Sequence, residues 1–84
     1  MTQSPIPDRA DDSPVGCIGT LLIGTRGANG PGEVLVTIRG GRETFLAYSD
    51  HPMASGETVL VIGAAAHRQV TVVAWNDPFA RPTM

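Results

Sequence analysis

Eighty-four residues support a single domain with a thin core, and one cysteine excludes an internal disulfide framework. Six basic and eight acidic residues leave a formal charge of −2, a poor basis for holding a polyanion, because nucleic-acid affinity comes mostly from neutralised phosphates. All the basic residues are arginines (Arg9, Arg26, Arg39, Arg42, Arg68 and Arg81), and the lack of lysine excludes a Schiff base, a Walker-type P-loop and a lysine-anchored lipoyl or biotinyl carrier.

Residues 1–14 (MTQSPIPDRADDSP) hold three prolines and three aspartates without periodicity and read as a disordered leader. The leader has no signal-peptide layout. The longest apolar candidate, 58–66, is broken by Gly63 and is far short of the ~18 residues a membrane span needs. The expected location is therefore cytoplasmic.

Five strands are predicted within 15–75. Strand one covers 16–25, opened by Gly16 and Gly19, and leads into a loop over 26–31. Strand two covers 33–39 and strand three 42–49. The connection 50–57, with Pro52 and Gly56, has room for one helical turn at most. Strands four and five cover 58–64 and 69–75, and residues 76–84 form a short tail. Valine, isoleucine and threonine dominate the runs, while glycine, proline and asparagine fall between them. Short strands with almost no helical pattern predict an all-β sandwich or barrel. A barrel is favoured because an open sheet of this size would leave long apolar edges.

The Gly40-Gly41 pair predicts a two-residue hairpin turn, since glycine supplies the positive φ such turns need. That turn sets Arg39 opposite Arg42, Thr37 opposite Thr44, Val36 opposite Phe45, and Val34 opposite Ala47. One face then carries Val34, Val36, Ile38, Phe45 and Ala47 as core, with Glu43 at the rim. The other carries Leu35, Thr37, Thr44, Leu46 and the two arginines, with Leu35 and Leu46 facing each other. Strand four divides into Val59, Val61 and Gly63 against Thr58, Leu60, Ile62 and Ala64. Strand five divides into Val70, Val72 and Ala74 against Thr71, Val73 and Trp75.

Reactive groups form no constellation. Ser49, Asp50 and His51 are the residue types of a hydrolase triad, but consecutive residues of an extended chain point to opposite faces. His51 and His67 lie in different connections, and with Cys17 in an apolar strand they do not supply a zinc site. The glycine-rich segment 24–32 lacks the helix and lysine of a phosphate cradle. No enzyme activity, metal or cofactor is expected.

With the segments placed, the chain resembles the soluble C-terminal domain of NfeD-like proteins, a five-stranded OB-fold barrel. The resemblance rests on Gly16-x-x-Gly19-Thr20, Gly32-Glu33-Val34, Phe45-x-Ala47-x-Ser49, Gly56-x-x-Val59-x-Val61 and Val70-x-Val72, in that order. Such domains are typically fused to membrane-spanning helices, sometimes with a serine protease domain, and are encoded beside stomatin- or flotillin-like membrane-organising proteins. The present sequence shows neither a span nor a protease. The resemblance therefore implies a small non-enzymatic module for protein–protein interaction, peripheral to the membrane through a stomatin- or flotillin-like partner, or self-associating.

The residues expected to carry the contact are the apolar ones off the core face, Leu35, Leu46, Leu60 and Ile62, with Arg39 and Arg42 orienting the partner. A second reading is an OB-fold binder of single-stranded nucleic acid, stacking bases on Tyr48 and Trp75 beside Arg68.

Overall fold

Alternation of β-branched residues with polar ones gives this chain its strands, and ring closure gives them a common inside. The computed structural model describes residues 13–76. The strands are β1 (Ile18–Ile23), β2 (Thr25–Arg26), β3 (Gly32–Ile38), β4 (Gly41–Tyr48), β5 (Pro52–Met53), β6 (Thr58–Ala65) and β7 (Gln69–Ala74), with one 3₁₀ turn at Gly27–Asn29. Five of them close a barrel in the order β1-β3-β4-β7-β6, and β6 pairs back onto β1. All barrel pairings are antiparallel except β4 with β7. The all-β barrel expected from the sequence is the fold observed. The expected leader and tail fall almost wholly outside the described residues; Pro14, at the leader's end, is buried, and its carbonyl accepts a hydrogen bond from the Cys17 amide.

The core is Leu21, Val34, Val36, Phe45, Ala47, Met53, Val59, Val61, Val70 and Val72, with Cys17 and Ile38 packed against it. Valine dominates because its short branched side chain suits a pleated wall and fits the narrow interior of a five-stranded ring. Each fully buried valine contributes about 1.5–3 kcal/mol.

The hairpin register differs from the expected one. β3 and β4 pair Ile38 with Gly41, Thr37 with Arg42, Val36 with Glu43, Leu35 with Thr44, Val34 with Phe45 and Glu33 with Leu46. The turn is Arg39-Gly40, at φ 54° and 82°, a left-handed pair suited to a type I′ turn. Each residue's partner is displaced by two positions, so every side chain keeps its face, but Leu35 and Leu46 no longer oppose one another. The physical reason is tertiary. β3 also pairs with β1 through Gly19 and Val36, and β4 with β7 through Ala47 and Val70. Those ladders outweigh the local preference for glycine at both turn positions.

β2 and β5, absent from the sequence reading, pair Thr25 with Met53 and Arg26 with Pro52 beside the barrel. The buried Thr25 hydroxyl accepts the Met53 amide at 3.0 Å and lies 2.6 Å from the Ser49 hydroxyl, which itself donates to the His51 carbonyl at 2.7 Å.

Gly32 starts β3 where it passes under the end of β1, and a Cβ there would overlap the carbonyl oxygens of Ile23 and Gly24. Both are backbone atoms that cannot swing aside. Gly32→Ala is expected to destabilise the domain by about 3 kcal/mol or more. Urea denaturation followed by circular dichroism checks this; a loss under about 1 kcal/mol would contradict the crossing geometry.

Candidate interaction surface

The barrel wall is poor in charge. Glu33, Arg42 and Glu43 are the only charged residues in the five barrel strands. Glu43 is paired with Arg68 at 3.1 Å. Glu33 and Arg42 make no ion pair or side-chain hydrogen bond with the described residues.

The outward positions carry aliphatic side chains instead. Two of them arise from bulges. β1 shifts register against β3 between Leu21 and Ile23, and β6 shifts against β7 between Val61 and Gly63. The extra residues, Leu22 and Ile62, are 46% and 51% exposed. A bulge re-aims its extra residue, and both here turn an aliphatic group outward.

These residues form two patches. On the β1–β6–β7 arc, Ile18 pairs with Leu60 and Leu60 with Val73, giving one apolar row across three strands with Ile62 beside it. Thr58, Thr71 and the half-buried Trp75 complete that face. On the β3–β4 arc, Leu35 and Leu46 are diagonal neighbours, and Ile23, the most exposed large aliphatic at 58%, pairs with Glu33 at the end of β1. The ring order places β3–β4 and β6–β7 on opposite arcs.

The expected contact residues are thus divided. Leu46 and Ile62 are exposed and Leu35 and Leu60 half-buried, but Leu35 and Leu46 belong to one patch and Leu60 and Ile62 to the other. Arg39 sits in the hairpin turn and Arg42 on the outer face of β4. Sequence reasoning missed Ile18, Ile23, Glu33 and Val73; Val73 and Ile18 could have been found from strand alternation once the pairing with Leu60 was known.

The residues of the nucleic-acid reading are not brought together. Arg68 precedes one end of β7 and Trp75 follows the other, about 20 Å apart at strand rise. Tyr48 pairs with Thr71 between them. Tyr48 and Thr71 line a shallow groove of about 250 Å³ with Gly63, Ala64, Ala65, Gln69 and Val70.

Arg68 is already engaged. Its guanidinium donates to the Thr44 carbonyl at 2.9 and 3.2 Å and lies 4.6 Å from the Phe45 ring centre. It covers the stretch of β4 edge that β7 does not reach. Ser49 meets the carbonyl of His51 rather than its imidazole. Among the described residues no three of His, Cys, Asp or Glu are grouped to hold a metal ion, and no helix is long and apolar enough to cross a membrane.

A closed five-stranded barrel with the order β1-β3-β4-β7-β6 is a barrel of OB type. The family is narrower than that. The NfeD C-terminal domain model matches residues 18–73, essentially the whole barrel, and the chain belongs to this family. Its fold is similar to the soluble domain of the NfeD protein YuaF from Bacillus subtilis, with a TM-score of 0.63 and 28% identity over 80% of this chain and 79% of that one. It is also similar to the C-terminal domain of stomatin operon partner protein 1510-C from Pyrococcus horikoshii, with a TM-score of 0.55 and 26% identity over 76% of this chain and 91% of that one. No curated protein matches the chain.

Arg68→Ala removes two carbonyl contacts and the cation above Phe45, and is expected to cost about 1–2 kcal/mol of stability. Arg68→Lys keeps the charge but not the forked geometry, so it should recover less than half of that loss in urea melts. Full recovery by lysine would mean that the charge, not the carbonyl cap, matters.

Proposed function

We propose that this domain is a non-catalytic protein-interaction module that associates with a stomatin- or flotillin-like membrane-organising protein. The observation that carries the reading is the uncharged row Ile18–Leu60–Val73 with Ile62 bulged out beside it. Depletion of charge with aliphatic groups exposed is the composition of an interface centre rather than of a solvated wall. Support for the partner class comes from family membership and from the Pyrococcus relative, which is named as a stomatin operon partner.

The β1–β6–β7 face suits a partner that brings apolar groups and few charges. Through such a partner the domain would sit at the membrane periphery without inserting into it.

The test is direct binding of the purified chain to a stomatin-like protein from the same cells, reconstituted in nanodiscs and read by surface plasmon resonance. Ile62→Glu should weaken binding about tenfold or more and leave the far-ultraviolet circular dichroism unchanged. Undiminished binding by that variant would remove the face from the proposal. No binding by the unmodified chain to stomatin- or flotillin-like proteins would remove the partner class.

A further inference from the structure

The opposite patch has a property the β1–β6–β7 face lacks: it is complementary to itself. The outer face of the β3–β4 hairpin consists of three cross-strand rows, Thr37 with Arg42, Leu35 with Thr44, and Glu33 with Leu46. Arg42 stands at one end and Glu33 at the other, four residues along the ribbon or about 13 Å. The uncharged row lies between them. Neither charge has a side-chain partner among the described residues.

A surface that pairs with its own copy across a two-fold axis must present at each point the complement of what the axis brings to it. An axis lying along the Leu35–Thr44 row does this. It lays Leu35 and Thr44 on their own counterparts and brings Glu33 of one copy into the row of Arg42 of the other, twice, one strand spacing or about 5 Å to the side and within reach of the long arginine side chain. Packing on the β6–β7 side offers no such pairing, because β1, β6 and β7 contain no charge. Strand-to-strand addition is opposed by closure of the ring and by Arg68 over the β4 edge.

We infer that this chain forms a two-fold dimer through the outer face of the β3–β4 hairpin, with Glu33 of each copy paired to Arg42 of the other. The size of the patch sets the strength. Ile23, Leu35 and Leu46 make a patch within the roughly 300–600 Å² of a large patch on an ordinary monomer, against ~800 Å² per partner in a stable complex. The dimer is accordingly weak and depends on concentration and on salt. It stands independently of the stomatin-type partner, which uses the other arc.

Sedimentation velocity on the whole 84-residue chain tests it, over roughly 10 μM to 1 mM. A monomer–dimer equilibrium is expected, with the dimer weakening as salt is raised. Glu33→Arg or Arg42→Glu alone opposes like charges twice and should raise the dimer Kd about tenfold or more. The double variant E33R/R42E restores the pairing with its sign reversed and should return Kd to within about threefold of the unmodified value. Circular dichroism monitors the fold of each variant, and the salt series on the unmodified chain reads the ion pairs without any substitution. A chain monomeric at the highest concentration overturns the inference. So does a dimer indifferent to salt, a double variant as weak as the single ones, or a dimer abolished by Ile62→Glu and untouched by charge reversal.

Discussion

The short parallel contact between β4 and β7 is the constraint on which the rest of this domain depends. Only Leu46–Tyr48 and Gln69–Thr71 take part in it, supported by the hydrogen bond from the Leu46 amide to the Arg68 carbonyl. Without it the five strands are an open sheet with two apolar edges; with it they enclose ten core residues. Arg68 serves the closure twice, once through its carbonyl and once through its guanidinium on Thr44.

Closure also explains why the outside can be so aliphatic. The period of two separates inner from outer residues along each strand, so the ten core side chains alone meet the demand for burial. Outer positions are then free of the demands of core packing. Threonines and aliphatics occupy them, and the few charges fall where the hairpin and the barrel mouth need them. A domain built this way can change its outer face without disturbing its interior, consistent with relatives at 26–28% identity that keep the fold.

Much of this was legible in the sequence. Alternation identified the inner face of the hairpin, Val34, Val36, Phe45 and Ala47, and separated Val59 and Val61 from Leu60 and Ile62, and Val70 and Val72 from Thr71 and Val73, because each lies in a run long enough to show its period. The family resemblance was legible too, since glycine and alanine mark places where strands cross closely, as at Gly32. The hairpin register was not. Glycine at both 40 and 41 favoured a turn one residue later than the real one, and only the ladders to β1 and β7 decide the matter. β2 and β5, at two residues each, are too short to have a period at all. The division of the outer leucines into two patches needed the ring order, a property of the pairing that no local pattern contains.

The pairing of β1 with β6 has a consequence in time. It joins residues 18–20 to residues 58–60, so the ring cannot be completed until almost the whole barrel sequence is available and a loop of some forty residues has been closed. Non-local closure of that kind makes folding slow for a chain of this size, on the order of milliseconds to seconds rather than microseconds. Until closure the edges of the β3–β4 and β6–β7 hairpins, each joined by a short turn, lack their partners in the ring. Freshly synthesised copies are therefore most vulnerable to aggregation before the two ends of the barrel meet, and that vulnerable period ends only at closure.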